Sequence, residues 1–154
     1  MEREEVRSYV NQYCRLRDLQ FAAYEMYARA HNLTAKELFV LDILWFAPEG
    51  CYQTEICERL SATKQTVSAI IKKFLKKGYV FLTESETDRR NKMIRFTEEG
   101  VRYTEKIIPP AAAAEIDAMA ELTDRDVEAL VKLTTQFSRW MKRKFDEIRE
   151  EVQR

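Results

Sequence analysis

The fold is decided by residues 53–83, which read QTEICERLSATKQTVSAIIKKFLKKGYVFLT. The apolar residues of 53–60 recur at helical spacing, and the three-residue turn Ser61-Ala62-Thr63 follows them. Since a threonine at the end of a turn can cap a helix, a second helix is expected over 64–77. Gly78 stands where a glycine commonly closes a helix. Two short helices joined by a tight turn form a helix-turn-helix unit.

The pattern changes from helical to alternating after Gly78. Segments 79–83 and 93–96 are β-prone, and the polar segment 84–92 separates them, which predicts a β-hairpin with a long loop. Thr97-Glu98-Glu99-Gly100 then offers a threonine that can cap a further helix. The sequence therefore predicts a helix-turn-helix unit followed by a hairpin wing.

Helices are also predicted on both sides of this unit. Residues 3–30 contain neither glycine nor proline, and their apolar side chains recur every three or four positions. Thr34-Ala35-Lys36-Glu37 has the capping-box pattern and opens a helix that is apolar nearly all round. Pro109-Pro110 predicts a break or kink. From Val127 onward, apolar residues repeat at helical spacing over about 27 residues.

The first and last helices are too long for one small domain to bury, so their apolar seams imply another chain. We expect a mainly α fold with a small β-hairpin wing, in which long N- and C-terminal dimerisation helices flank a winged helix-turn-helix domain. The expected divisions are 1–32 for the N-terminal dimerisation helix, 33–100 for the winged domain and 101–154 for the C-terminal dimerisation helices.

The basic side chains are concentrated in the middle of the chain. The chain has 154 residues and 26 basic and 26 acidic side chains, yet residues 61–95 contain nine Lys or Arg and three Asp or Glu. A basic segment on a helix-turn-helix unit is typical of a phosphate-binding surface, although a solvated helix face would have the same composition.

Other bulk features favour a soluble cytoplasmic protein that does not engage a membrane. There is no secretory signal pattern, and no apolar run approaches the ~18 residues of a membrane span. The three cysteines, Cys14, Cys51 and Cys57, are an odd number without a C-x-x-C pair, which favours reduced thiols.

The helix at 64–77 has one apolar and one polar face. Its polar face carries Lys64, Gln65, Ser68, Lys72 and Lys76. Lys, Gln and Ser suit guanine, adenine and either base respectively, and the later lysines suit phosphate. Because the first residues of a recognition helix meet the bases, we hypothesise that this helix contacts DNA. An ordinary amphipathic surface helix is the alternative.

The predicted hairpin tip contains Asp88, Arg89, Arg90 and Lys92. A basic loop beside a recognition helix can reach the minor groove, whose negative potential attracts arginine. Asp88 can hold a neighbouring arginine through a charge-assisted hydrogen bond. A solvated charged turn would look the same in sequence.

In combination these elements resemble the MarR family of bacterial winged helix-turn-helix regulators. The family has Lys-x-Gly at the end of the recognition helix, Asp-x-Arg in the wing and Leu-Thr-x-x-Gly at the next helix. The matching stretches here are Gly78-Tyr79-Val80, Asp88-Arg89-Arg90 and Phe96-Thr97-Glu98-Glu99-Gly100. Asn32-Leu33-Thr34 likewise matches Gly-Leu-Thr. Phe96 for Leu and Asn32 for Gly are departures, and the resemblance covers about residues 8 to 150.

The resemblance implies a triangular homodimer, joined by its first and last helices, that binds a pseudo-palindromic operator in double-stranded DNA. Transcription control by repression is the expected activity, without a cofactor. Carried over by position, the residues that contact bases or phosphates are Lys64, Gln65, Thr66, Ser68 and Lys72, and the wing acts through Arg89 and Arg90.

Sensing is a further implication of the resemblance. Many members bind small aromatic acids between the dimer helices and the winged domain, and the candidate pocket residues here are Tyr24, Tyr27, Phe39, Trp45 and Phe46. Aromatic residues at such positions are also typical of a plain core. Peroxide-sensing members keep a reactive cysteine in the first helix, so a thiol-based repressor using Cys14 is an alternative; reactivity requires a lowered pKa and exposure. The lone His31 makes a metal site unexpected.

Two other classes of function are open to test. An enzyme is not expected, because the chain lacks G-x-S-x-G, G-x-G-x-x-G, P-loop and H-E-x-x-H motifs and has one histidine. A winged-helix module that contacts only proteins is the second alternative, although protein interfaces tend to be depleted in lysine. Steep salt dependence of DNA binding distinguishes a regulator from such a module.

Overall fold

The computed structural model describes residues 1–84 and 92–152. The elements in chain order are α1 (Arg3–Ala30), α2 (Ala35–Trp45), β1 (Cys51–Tyr52), α3 (Gln53–Leu60), α4 (Lys64–Lys76), β2 (Val80–Glu84), β3 (Lys92–Phe96), α5 (Glu98–Thr104), α6 (Ile108–Ala120) and α7 (Asp124–Val152). The chain forms two compact units, Met1–Pro110 and Ala111–Arg154. The predicted fold class, mainly α with a small wing, is confirmed.

Threonines stand immediately before α2, α4 and α5, as the sequence predicts. The Thr34 hydroxyl accepts a hydrogen bond from the Glu37 backbone N–H, and the Glu37 carboxylate accepts one from the Thr34 N–H at 2.9 Å, so the capping box is complete. Thr63 and Thr97 cap α4 and α5 in the same way through their hydroxyls. These caps satisfy backbone N–H groups that have no acceptor inside the helix.

The sheet is antiparallel with the order β1-β3-β2. The predicted hairpin is formed by β2 and β3, with Val80 opposite Phe96 and Glu84 opposite Lys92. Strand β1 has only two residues, pairs Cys51 with Ile94, and is not among the elements predicted from the sequence. A two-residue strand is too short to show an alternating pattern.

The core of the first unit lies among α2, α3, α4 and the sheet. Its largest completely buried side chains include Leu41 and Leu44 of α2, Ile56 of α3, Phe74 of α4 and Ile94 of β3. The nearly all-apolar α2 is buried on most sides, as its sequence predicts. This core fixes α3 and α4 relative to the wing strands.

The base of the wing is closed by the first turn of α5. The Thr97 hydroxyl donates a 2.6 Å hydrogen bond to the Gly78 carbonyl, and the Thr97 backbone N–H donates to the Tyr79 carbonyl at 3.0 Å. A Cβ on Gly100 would lie 1.8 Å from the Tyr79 carbonyl oxygen. Only glycine therefore permits this approach of the two backbones.

The prolines and the long helices also match their predictions. Pro109 and Pro110 occupy the first turn of α6, where a missing N–H leaves no helical hydrogen bond unmade. The 29 residues of α7 include none that is buried within the chain. Within residues 1–84 and 92–152, no helix combines the length and the apolar character needed to span a membrane.

Candidate nucleic-acid interface

Helix α4 has an inward apolar face and an outward polar face. Val67, Ile70, Ile71 and Phe74 are buried. The structure places Lys64, Gln65, Lys72 and Lys76 on the exposed side and leaves Thr66 and Ser68 half-buried. The exposed face of α4 thus carries basic side chains and hydrogen-bond donors along the length of the helix.

The start of α4 is held by several polar contacts. Ser61 adopts a left-handed conformation with φ +46°, which turns the chain between α3 and α4. The Thr63 hydroxyl accepts from the Thr66 N–H at 3.2 Å and lies 2.9 Å from the Thr66 hydroxyl. Gln53 of α3 donates a 3.0 Å hydrogen bond to the Lys64 carbonyl. The Thr66 hydroxyl is therefore part of the cap, unlike the outward side chains predicted with it.

A groove of about 520 Å³ runs between the helix-turn-helix unit and the wing strands. Its apolar lining includes Ile71, Leu75, Leu82 and Ile94. Its polar and basic lining includes Lys64, Ser68, Lys72 and Lys92, together with the acidic Glu58. Four predicted site residues from two separate segments are thus brought to one groove.

The predicted wing tip is only partly described. Asp88, Arg89 and Arg90 lie outside the described residues, so their predicted roles stay predictions. Lys92 is exposed at the start of β3, opposite Glu84 of β2.

Lys73 belongs to a different environment from its neighbour Lys72. Its ammonium Nζ donates a 2.6 Å hydrogen bond to Glu37 Oε1 of α2, forming an ion pair with a carboxylate that is nearly buried. The sequence predicts Glu37 as a capping residue but does not predict this second contact. No local pattern could have signalled the ion pair, because the two residues lie 36 positions apart in the chain.

The five candidate effector residues have different surroundings in the structure, and their role in binding an effector stays a prediction. Tyr24 and Phe39 pack edge to face at 5.2 Å between ring centroids. The Tyr27 hydroxyl donates a 2.7 Å hydrogen bond to the Ile107 carbonyl, and its ring lies against His31. Trp45 lines a separate cavity of about 310 Å³ beside Arg95, and Phe46 is 62% exposed. Among the five candidate residues, Tyr24 and Phe39 are in ring contact with each other.

The three cysteines are free thiols in different environments. Cys14 is half-buried in α1, and Cys57 is half-buried in α3 and lines the groove. Burial, with a smaller effect of Glu55, raises the pKa of the Cys51 thiol to about 11. The part of the chain that the structure describes contains no group of three or more His, Cys, Asp or Glu residues that could hold a metal ion.

The segment that contains the helix-turn-helix unit and the wing is similar to segments of known proteins. Residues 31–91, which run from the end of α1 to the residue before β3, match the model of the MarR family. The HTH-type transcriptional regulator PapX of Escherichia coli is 30% identical over 79 residues, which is 51% of this chain and 48% of PapX. The chain therefore aligns with about half the length of this curated relative.

Solved structures share the fold over a greater length. AbsC, a MarR family transcriptional regulator from Streptomyces coelicolor, superposes with a TM-score of 0.75 at 17% identity, covering 92% of this chain and 97% of AbsC. MepR of S. aureus, crystallised as a DNA complex, has a TM-score of 0.69 at 19% identity and covers 86% and 97% of the two chains. Residues 31–91 thus match the MarR family model, and the chain shares the winged-helix fold of these MarR-family structures.

Proposed function

We propose that this chain is a sequence-specific DNA-binding regulator of transcription that acts as a repressor. The observation that carries the proposal is the groove into which Lys64, Ser68 and Lys72 of α4 and Lys92 of the wing all project. Basic and hydroxyl side chains on a helix beside a hairpin suit a surface that contacts bases and phosphates together. The similarity to PapX, a transcriptional regulator, and to MepR, which was crystallised with DNA, supports the same function.

In this proposal the first turns of α4 enter the major groove. Lys64 and Gln65 are exposed at its N-terminal end, where lysine can donate to guanine and glutamine can pair with adenine. Lys72 and Lys76 lie further along and would meet phosphates. Arg89 and Arg90 would extend the contact into the neighbouring minor groove.

A homodimer is part of the proposal because the long helices carry unburied apolar side chains. On α1 these include Tyr9, Leu16, Leu19 and Met26, and on α7 they include Leu133, Trp140, Phe145 and Ile148. Two copies would present two recognition helices about one DNA turn apart, roughly 34 Å, to a pseudo-palindromic operator. Sedimentation equilibrium of the purified chain should give a dimer mass, and a monomer at all concentrations would contradict this part.

We further propose that a small aromatic effector releases the protein from DNA. Among the five candidate pocket residues, the ring contact between Tyr24 and Phe39 supports this part of the proposal. Once a DNA probe is available, aromatic acids can be screened for release of the labelled duplex.

Fluorescence anisotropy is the direct test of DNA binding. The purified chain is titrated against labelled intergenic DNA beside its own gene and against a scrambled duplex, at about 50 and 200 mM salt. We expect tight binding with a preference for the native DNA, weakened steeply by salt because phosphate contacts release counterions. Equal, weak binding to both duplexes would contradict the proposal and favour a protein-contact module.

The substitution Gln65→Ala tests whether α4 contacts DNA bases. We expect a loss of about 1–3 kcal/mol on the preferred site and relaxed preference at one base pair, with the salt slope unchanged. Gln12→Ala, an exposed glutamine on α1, is the matched control and should have no effect. An unchanged preference in the Gln65 variant would show that this face does not contact bases.

A further inference from the structure

Glu37 performs two tasks with one carboxylate. Its Oε2 accepts the Thr34 N–H at 2.9 Å and completes the cap of α2, and its Oε1 accepts the Lys73 ammonium at 2.6 Å. The Glu37 side chain is 9% exposed and that of Lys73 is 39% exposed. Because the carboxylate is held at the end of a rigid helix, the ion pair fixes a point on α4 relative to α2.

The same carboxylate is adjacent to the base of the wing. Burial raises the pKa of Tyr103 on α5, with smaller effects from Tyr79 and Glu37. Tyr103 stacks on Tyr79 at 4.2 Å between ring centroids, and the Lys77 ammonium lies 5.7 Å from the centre of the Tyr79 ring. Glu37 thus lies close to groups that join the end of α4 to the wing and α5.

The recognition helix α4 is held in its first and last turns by side chains of other helices. Gln53 binds the carbonyl of Lys64 in the first turn, and Glu37 binds Lys73 in the last. Base contacts depend on sub-ångström placement of side chains, and a helix held at two points resists rotation about its axis and tilting.

We propose that Glu37 is a positioning residue for DNA recognition, which through Lys73 sets the orientation of α4 and with it the discrimination between operator and other DNA. The inference rests on the proposed function. Lys73 then differs in kind from Lys72: the first orients the helix, and the second contacts phosphate.

Lys72→Met and Lys73→Met form a matched pair for the test, since both remove one ammonium from adjacent positions of one helix. Binding to operator DNA and to a scrambled duplex is measured over a range of salt, at a temperature where circular dichroism shows all variants folded. For Lys72→Met we expect a parallel loss on both duplexes and a salt slope reduced by about 0.9.

For Lys73→Met we expect an unchanged salt slope and about tenfold weaker operator binding, with less than about a twofold change on scrambled DNA. Glu37→Gln should reproduce this selective loss, and the double variant should lose little more than either single variant, because both remove the same contact. Lys73→Arg, which keeps the ion pair, should restore discrimination.

A salt slope reduced by Lys73→Met as much as by Lys72→Met would overturn the proposal and make Lys73 a phosphate contact. Discrimination that survives in both Lys73→Met and Glu37→Gln would also overturn it, leaving a role in stability alone. Amide exchange of residues 72–77 needs no DNA and should be faster in Lys73→Met than in Lys72→Met. If the wild type shows no preference between duplexes, the proposed function fails, and amide exchange alone then tests whether Glu37 anchors α4.

Discussion

Helices α4 and α7 obtain their stability from different sources. Helix α4 has 13 residues, and the core buries most of its apolar face, namely Val67, Ile70, Ile71 and Phe74. Helix α7 has 29 residues and none is buried. Its exposed large apolar side chains are Leu130, Val131, Leu133, Trp140, Met141, Phe145, Ile148 and Val152.

The contrast separates a helix whose apolar side chains are buried within the chain from a helix whose apolar side chains would be buried only in the proposed dimer. Burying one large apolar side chain contributes about 1.5–3 kcal/mol, so α4 is stabilised wherever the first unit is folded. An apolar stripe along a long surface helix is instead typical of a helix that packs on another molecule. Substitutions in α4 should therefore affect folding, and substitutions in α7 should affect association.

The substitutions Phe74→Ala in α4 and Phe145→Ala in α7 test this difference between the two helices. Phe74 is fully buried and Phe145 is 65% exposed. We expect Phe74→Ala to lower the free energy of unfolding by about 3–5 kcal/mol, because it leaves a cavity in the core. Phe145→Ala should leave the winged unit folded and raise the dimer dissociation constant about tenfold, as at a buried interface aromatic.

Urea unfolding and sedimentation equilibrium measure the two effects separately. Leu75→Ala is a control within α4, because Leu75 is only partly buried and should cost less than Phe74. Unchanged association in the Phe145 variant would show that this part of α7 does not form an interface.

Gly100→Ala tests how tightly the winged unit is packed at the base of the wing. The added methyl group would meet the Tyr79 carbonyl oxygen at 1.8 Å, and a backbone atom cannot rotate away. We expect a loss of about 3 kcal/mol in thermal or urea unfolding. Gly78→Ala is the matched control: its nearest neighbour would be 3.8 Å away, so only its φ of +73° costs energy, about 1 kcal/mol. Equal losses would show that the wing base can adjust.

Local signals in the sequence were sufficient for most of the first unit. Threonine caps, the turn at 61–63 and the change of period after Gly78 gave α2, α4, α5 and the hairpin, because each depends on neighbours within a few residues. The same periodicity assigned Lys64, Gln65 and Lys72 to the exposed face of α4.

Contacts between distant segments could not be predicted in this way. The pairing of β1 with β3 and the ion pair between Glu37 and Lys73 join residues far apart in the chain, and no local pattern encodes them. For the same reason the sequence could not show how the aromatic side chains are arranged. Phe39 and Trp45 lie on one helix, but the Phe39 ring packs against Tyr24, and Trp45 lines a cavity together with residues of β3.

The buried thiol of Cys51 predicts that the stability of the winged unit depends on pH. Burial raises the pKa of its thiol from 9.0 to about 11, so the folded state holds its proton where the unfolded state has lost it. The contribution of this group to stability is complete below about pH 9 and is lost as the pH rises towards 11. Cys51→Ala should therefore show a smaller fall in unfolding free energy between pH 8 and pH 10 than the wild type. Cys57→Ala is the control, and an identical fall in both variants would show that the Cys51 thiol is not protected.

Ser61→Gly should produce the smallest effect, and in the opposite direction. Ser61 has a φ of +46°, a conformation that disfavours residues with a Cβ. Glycine removes that strain but gives the unfolded chain more freedom, so we expect a net gain of about 0.5 kcal/mol in urea unfolding. The gain should not depend on protein concentration, since the turn lies in the first unit, whose core is buried within the chain itself. Thr63→Ala, two residues on, removes the cap of α4 and should instead cost about 1 kcal/mol. A loss of stability in Ser61→Gly would mean that the serine side chain stabilises the turn by more than its backbone strain, and the turn between α3 and α4 would then depend on its side chain rather than on its φ angle.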